Sequence, residues 1–441
     1  MKDYDVLIVG AGPTGLVLAL WLAKLGVKLS IIDRTEASGT TSRALAVQAR
    51  TLELYRQLDL TEAVIAQGHR VPAVNMWVKG ERTARIAFDT VGRRLTPYPF
   101  MHVFPQDRHE ALPGERLAQL GVTVTRKTAL LSYREDGENV VARLKTPDGE
   151  EECRSRFIVG CDGPRSRVRE LMGVAFPGGA YAQVFYVADV DAWGPPLDGE
   201  LHVDLDEADF LALFPLKGNG RGRLIGTVRG ERAARPETLA FGDVAQRAIG
   251  HMKLGIEKVN WFSTYRVHHR VARHFRKGRA FLAGDAAHIH SPAGGQGMNT
   301  GIGDAVNLAW KLAWVVGGRA PDRLLDTYEP ERIAFARRLV KTTDRVFRFA
   351  TTEGAFADLM RMRVAPYLLP IFAKAEGLRE WLFRSASQVL INYRGSGLSQ
   401  GKAGRVNGGD RLAWVMTGGV DNYDSLGTIA WQGHVYGNAP T

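Results

Sequence analysis

An α/β architecture is what the sequence predicts, on three observations. Residues 4–33 run strand, glycine-rich turn, helix and strand in succession. Residues 176–267 instead carry short alternating stretches that read as half-exposed strands. And 441 residues, 45% hydrophobic and 24% charged, are enough for two or three domains with substantial cores. This composition argues against a disordered, collagenous or low-complexity chain.

The first unit is the most informative. Tyr4-Asp5-Val6-Leu7-Ile8-Val9 is short and nearly all apolar, as a strand buried on both faces should be. Gly10-Ala11-Gly12-Pro13-Thr14-Gly15 follows, a GxGxxG, and then Leu16, Ala19, Leu20 and Ala23 recur at helical spacing before Gly26 ends the helix. A second strand, Val27–Ile32, finishes at Asp33, the acid expected about 20 residues beyond such glycines to meet a ribose hydroxyl. Gly10 permits the tight turn, Gly12 admits a pyrophosphate to the backbone, and Gly15 lets helix and strand pack closely. The positive end of the helix dipole then faces the phosphates. A Rossmann-type dinucleotide site is the prediction. By contrast Gly218-Asn219-Gly220-Arg221-Gly222 stands between two apolar runs with no helix after it and reads as a hairpin turn.

Charge and cysteine content narrow the class. Lys plus Arg exceed Asp plus Glu by 58 − 47, a net charge of +11. The basic residues are scattered among acids without a recognition motif, so the surplus suits a phosphate-bearing cofactor and a solvated surface rather than nucleic acid. Two cysteines, Cys153 and Cys161, make neither a disulfide framework nor a zinc site and fit a reducing, cytoplasmic compartment. His288 and His290 form an HxH without a third ligand at helical spacing, so no metal is expected. Acids and Gly-Pro near the N-terminus argue against a signal peptide, and Lys24 and Lys311 interrupt the longest apolar runs, so no membrane span is expected. No internal repeat is visible, and the sequence carries no indication of oligomeric state.

Two further segments punctuate the chain. Phe157-Ile158-Val159-Gly160-Cys161-Asp162-Gly163-Pro164 is a strand and tight turn leading to a basic helix start. Arg279-Ala280-Phe281-Leu282-Ala283-Gly284-Asp285 is a strand ending in Gly-Asp, which runs into Ser291-Pro292-Ala293-Gly294-Gly295-Gln296-Gly297-Met298-Asn299 and a helix with Ala305, Leu308, Ala309 and Leu312 on one face. With these three fingerprints in this order, the chain resembles the group A flavin-dependent aromatic hydroxylases, the p-hydroxybenzoate hydroxylase-like monooxygenases.

The resemblance implies a glutathione-reductase-like (GR2-like) fold: an FAD-binding domain over 1–70, 101–175 and 268–330, and an inserted mixed-sheet substrate domain over 71–100 and 176–267. Residues 331–395 are expected to be bracing helices, with Phe335, Leu339 and Thr342 at helical spacing. The tail, 396–441, resembles the lead-in to the thioredoxin-like third domain of the phenol and polyketide hydroxylase branch, and is expected to stop too early to complete it. Two details depart from the pattern: Ala413 stands where proline is usual, and Pro113 interrupts the helix begun at Gln106, at ~3 kcal/mol or a kink.

By the same resemblance the cofactor is FAD. Gly10, Gly12 and Gly15 hold its pyrophosphate, Asp33 its ribose, Arg34 lies beside the adenine, and Arg43 lies near the phosphates. Gln106 and Asp285, beside Gly284, meet the ribityl chain, while Asp162 and Gly163 lie where FAD and NAD(P)H bind. Pro292 and Gly295 form the loop at the reactive edge, and the amides of Gly297, Met298 and Asn299 face the pyrimidine. NAD(P)H and O2 are the implied co-substrates, through a flavin C4a-hydroperoxide that attacks a small aromatic ring in a site kept dry.

A simple phenol and a fused-ring polyketide both fit, and spacing singles out no protein base. The basic run Arg266, His268, His269, Arg270, Arg273, Arg276, Lys277 and Arg279 is a candidate attractor for the pyridine dinucleotide, against the plainer reading of a solvated face. A flavin halogenase is excluded by the lack of Trp-x-Trp-x-Ile-Pro. A related epoxidase or reductase, and a flavoprotein that binds an aromatic ligand without turning it over, are the alternatives.

Overall fold

The computed structural model describes residues 2–39, 44–205, 210–228, 234–244, 246–291, 294–351, 367 and 375–435. At its centre β1 (Lys2–Val9) pairs in parallel with β2 (Leu29–Ile32) on one side and β11 (Gly149–Gly160) on the other. β8 (Val124–Thr125) extends the β2 side and β18 (Ala280–Leu282) the β11 side, also parallel. Both faces of such strands are covered, which is why Val6, Leu7, Ile8, Phe157, Ile158 and Val159 are all fully buried. β9 (Ala129–Asp136) and β10 (Asn139–Thr146) form an antiparallel meander into β11, and β17 (Arg276–Lys277) closes the β18 edge.

α1 (Pro13–Lys24) is buried without a break from Gly15 to Leu22. It is covered on its far side as well, packing against α5 (Gln106–Gln119) and α8 (Gly297–Val316), so its apolar surface is a full circumference rather than a stripe. α5 continues through Pro113, contrary to the expected interruption. Pro113 is itself buried, as are Leu112 and Leu117, and that burial offsets the lost backbone bond.

A second sheet has the order β19-β16-β12-β15-β14-β13-β5-β6. Its strands are β5 (Ala73–Val78), β6 (Glu81–Ala87), β12 (Gly178–Trp193), β13 (Leu201–Leu205), β14 (Phe210–Pro215), β15 (Arg221–Val228), β16 (Gly255–Val271) and β19 (His288–Ile289). β14 and β15 are the antiparallel arms of the hairpin expected at Gly218–Gly222. β13 corrects the half-exposed reading: Leu201, His202, Asp204 and Leu205 are all buried, because both faces of the sheet are covered. Val184, Tyr186, Ala188 and Val190 pack beneath α7 (Gln246–His251) through Ala248, Ile249 and the neighbouring Met252. The opposite face meets the first domain across a small sheet of β3 (Ala46–Val47), β4 (His69–Val71) and β7 (Met101–Val103).

Short helices α2 (Ala49–Arg56), α3 (Thr61–Gln67), α4 (Asp89–Gly92) and α6 (Arg167–Met172) connect these layers. α9 (Tyr328–Thr351) braces them through a buried stripe of Arg332, Ile333, Ala336 and Leu339; of the residues expected at helical spacing, Leu339 is buried, Phe335 half-buried and Thr342 exposed. Much of 352–374 lies outside the described residues. The tail folds back onto α2, where Arg411 pairs with Glu53, and Arg56 pairs with Asp421 (2.6 Å) and Asp424. Among the described residues, no helix is long and apolar enough to cross a membrane.

Candidate active site

The turn after β1 is packed as tightly as backbone permits. A Cβ on Gly15 would lie 2.0 Å from the Gly10 carbonyl oxygen, and one on Gly10 (φ +104°) would lie 2.4 Å from that of Cys161. The first fingerprint and the Asp-Gly segment are therefore in direct contact. Gly12 differs: nothing lies within 4 Å of its Cβ position, so the space above it is open. The first backbone bond of α1 is Leu16 N–H to Gly12 O, and the Thr14 and Gly15 amides donate to no described group.

Asp33 is aimed at this turn. Its Oδ2 accepts the Ala11 amide at 2.7 Å, and its Oδ1 accepts the Thr35 amide and hydroxyl at 2.8 and 2.7 Å. Arg126 stands 4.0 Å from Asp33 Oδ2 and also donates to Ser38 Oγ. It was invisible in the sequence because β8 brings it in from 93 positions away in the chain (126 − 33). Arg34 is exposed, and Arg43 lies outside the described residues. Gln106 donates to Glu110 Oε1 (2.8 Å), whose other oxygen accepts the Gly39 amide; burial pushes the Glu110 carboxyl up.

Asp162 is partly diverted from the expected role. One of its oxygens, Oδ2, accepts the Arg167 and Val168 amides at 2.6 and 3.2 Å and so caps α6 together with Ser166. Its Oδ1 is buried with no hydrogen-bond partner among the described residues. Gly163, at φ +79°, faces open space.

The third fingerprint reaches the first through one side chain. Thr14 Oγ1 lies 2.6 Å from where a Cβ on Gly284 would be and 2.4 Å from one on Gly301. Beside Gly284, Asp285 is exposed and accepts no hydrogen bond from a described residue. Further on, Gly294 and Gly295 both adopt positive φ, and Asn299 locks the loop. Asn299 is 1% exposed. Its Oδ1 accepts the Gln48 amide (2.9 Å) and the Thr51 hydroxyl (2.7 Å), and its Nδ2 donates to Ala46 O and Gly295 O (both 2.9 Å). Gln48 Nε2 donates to Gly294 O.

The Asn299 side chain is thus a structural clamp, while its amide and those of Gly297 and Met298 donate to no described backbone group; Thr300 N–H is the first to bond, to Gln296 O. Gln388, itself buried at φ +62°, donates to Thr300 Oγ1 from the end of the bracing segment. Pro292 lies outside the described residues.

Opposite this loop stands the buried face of the second sheet. Strand register puts Tyr265, Phe185 and Thr227 in one row; Ser263, Val187, Ile225, Ala212 and Val203 in the next; and Trp261, Asp189, Arg223 and Phe214 in a third. Ala212 and Val203 of the second row belong to an apolar contact with Leu45, Ala46, Met101 and Val103, next to Gly295, whose added Cβ would touch Ala46, whereas Ile225 packs with Phe185 and Val267. The third row is charged: Arg223, 3% exposed, forks onto Asp189 at 2.5 and 2.7 Å. A cavity of about 710 Å³ lies between this row and the start of α5, lined by Val103, Pro105, Arg108, Leu216, Asp189, Arg223 and Trp261 among others.

The histidines of the HxH pair bond within the protein, and the basic run does not form one surface. His288 bonds the buried Asp304 at 2.6 Å, and His290 Nδ1 bonds Ser291 O. The basic run is divided between the sheets: Arg266 to Arg270 lie in β16, whereas Arg276 pairs with Asp322 and Asp326 at the far edge of the parallel sheet.

The donors and acceptors of this site suit a flavin dinucleotide. Free amides at two helix starts and open space over Gly12 match phosphate and pyrimidine, and carboxylates lacking partners match hydroxyls. Comparison with known proteins agrees. An FAD binding domain model matches residues 3–343. The 6-methylpretetramide 4-monooxygenase of Streptomyces rimosus is 39% identical over 431 residues, covering 94% of this chain and 73% of that protein. Among solved structures, the anhydrotetracycline hydroxylase OxyS of Streptomyces rimosus superposes with TM-score 0.72 at 31% identity, over 89% of this chain and 77% of that one. The Diels-Alderase PyrE3 of pyrroindomycin biosynthesis superposes with TM-score 0.72 at 30% identity, over 88% and 80%. The chain belongs to the FAD-binding family of flavin-dependent aromatic monooxygenases, the group A hydroxylases.

Proposed function

We propose that the protein hydroxylates a fused-ring aromatic substrate, consuming NAD(P)H, a proton and O2 and releasing NAD(P)+ and water. FAD, when bound, would supply the two-electron redox and oxygen-transfer chemistry. The protein's own residues bind, orient and exclude water. Gly10, Gly12, Gly15 and the first amides of α1 hold the pyrophosphate; Asp33, steadied by Arg126, takes the ribose; Arg34 and Arg43 flank the adenine and phosphates. Gln106 and Asp285 take the ribityl hydroxyls, and Asp162 and Gly163 line the place where FAD and NAD(P)H meet. The amides of Gly297, Met298 and Asn299, at the positive end of α8, stabilise the negative charge that reduction puts on the pyrimidine, and being fixed by the Asn299 clamp they need no reorganisation. Pro292 and Gly295 border the reactive edge.

The observation that carries this reading is the apolar sheet row packed beside Gly295. A surface of Ala212 and Val203, packed with Leu45, Ala46, Met101 and Val103, offers nothing to a sugar or a nucleotide, but it strips water from an aromatic ring and from the oxygen held beside it. The cavity of about 710 Å³ adjoining it has room for several fused rings, which favours them over a simple phenol.

One assay tests the proposal: the visible spectrum of the purified protein, then NAD(P)H loss with a panel of phenols and polycyclic quinones while peroxide is trapped. Ligand-stimulated oxidation with a product 16 mass units heavier is expected. Stimulation yielding only peroxide, for every ring system tried, would overturn it. The similarity to the Diels-Alderase PyrE3 favours a second reading: binding of an aromatic ligand without oxygenation. In that case ligand binds and NAD(P)H is not consumed.

A further inference from the structure

We propose that Asp304, held by Arg332, positions the Gly284–Asp285 turn for the cofactor, a task separate from holding the fold together. The inference rests on reading that turn as part of the FAD site.

Asp304 is fully buried in α8. Its Oδ2 accepts the Gly284 amide at 3.0 Å and meets His288 Nε2 at 2.6 Å, and its Oδ1 accepts Arg332 Nε at 2.6 Å. Arg332, 1% exposed, donates its Nη2 to Thr300 O and its Nη1 to the Tyr393 hydroxyl, both at 3.0 Å. Burial alone would raise the Asp304 carboxyl, but Arg332 and His288 hold it below the usual carboxylate range, so it is an anion.

The turn it grips needs gripping. Gly284 sits at φ +63°. The carbonyls on either side are held by neutral or peripheral partners: Leu282 O by the Tyr328 hydroxyl (2.7 Å), and Ala286 O by Arg169 Nη1 (2.8 Å). The Gly284 amide, immediately before Asp285, is held by a buried charge. A charge-assisted bond is the shorter and stronger kind, and a carboxylate tied by Arg332 Nε on one oxygen and by His288 on the other is held against rotation away from its donor.

The molecule carries its own control. A second buried ion pair joins the same two helices, Lys311 Nζ to Glu331 at 2.6 Å, supported by Asn307 and Ser396. It lies about two turns along α8 from Asp304, and its bonds reach no residue of the Gly-Asp segment. Two pairs that merely joined α8 to α9 would behave alike.

The experiment compares Asp304→Asn/Arg332→Gln with Lys311→Met/Glu331→Leu, measuring the FAD dissociation constant of each apoprotein by flavin-fluorescence quenching and its melting temperature without cofactor. Both are expected to melt earlier. Only the first is expected to bind FAD at least 30-fold more weakly, with the second within threefold of the parent. Equal weakening in both, or a change under threefold in the first, would overturn the assignment. Arg332→Lys keeps the charge but cannot serve Asp304 and the Thr300 carbonyl together; it should weaken FAD about fivefold with a near-parental melt. If the double variant does not fold, unaltered FAD affinity in Arg332→Lys overturns the proposal by itself.

Discussion

Replacing Gly12 by alanine should separate cofactor affinity from stability. Gly12 has φ −76° and ψ −177°, extended backbone that alanine adopts freely, and no protein atom lies within 4 Å of the added methyl. Alanine is a poorer N-cap than glycine by up to ~1 kcal/mol, while loss of glycine's freedom in the unfolded chain returns about 0.4–1 kcal/mol. These terms nearly cancel, so the apoprotein should melt within about 3 °C of the parent. The methyl would, however, fill the gap through which a pyrophosphate reaches the Thr14 and Gly15 amides. Loss of those contacts should weaken FAD at least 100-fold, about 2.8 kcal/mol. The assay is flavin-fluorescence quenching on the apoprotein, with calorimetry alongside. FAD affinity within threefold of the parent would refute the assignment of that open space to the phosphates, whatever the melting temperature did.

Four further outcomes follow from the geometry. Gly15→Ala should do what Gly12→Ala does not: its Cβ meets backbone at 2.0 Å, neither side can yield, and the apoprotein should lose about 1–3 kcal/mol or more in urea unfolding. Asn299→Ala removes four buried hydrogen bonds and should destabilise by ~4 kcal/mol, with FAD bound more weakly as the 294–299 loop loosens; a melting temperature near the parent's would contradict the clamp. Arg223→Met leaves the half-buried Asp189 without its partner and should cost about 1.5–3 kcal/mol, whereas Arg223→Met with Asp189→Leu should recover most of it in the same titration.

The remaining outcome concerns acid. Burial depresses His102 to about 4 and His109 to about 3, so the folded state holds them neutral while the unfolded chain protonates near 6.5. Their stabilisation is complete above pH 6.5 and lost as pH falls toward 4, by up to ~1.4 kcal/mol per unit for each. Urea midpoints that stay flat from pH 7 to 4.5 would disprove this.

What the sequence made legible was whatever is coded by near neighbours. The unit from Tyr4 to Asp33 could be read because strand, turn, helix and acid follow one another within a single crossover. Gly284-Asp285 and Gly297-Met298-Asn299 were recognisable for the same reason. Arg126, Gln48 and Asp304 carried no such mark: each acts on a segment brought beside it by sheet order or helix packing. The half-exposed reading of Leu201–Leu205 failed because alternation tells how many faces are apolar, and two polar residues of this strand are buried: His202 with Trp77 and Asp198 as partners, and Asp204 with His251 3.9 Å away. Pro113 misled in the opposite sense, since a local rule about helices was outweighed by packing that the local sequence does not show.

The wedge formed by Thr14 between Gly284 and Gly301 has an evolutionary corollary. Three positions, separated in the chain by 270 and 17 residues (284 − 14 and 301 − 284), share one small volume, so none of them can drift alone. A methyl gained at Gly301 would need the threonine trimmed at the same time, and one at Gly284 would stay strained by its φ of +63° even then. Substitutions there should appear as matched sets among relatives, and a variant library that randomises one of the three in isolation should return the parent residue almost every time.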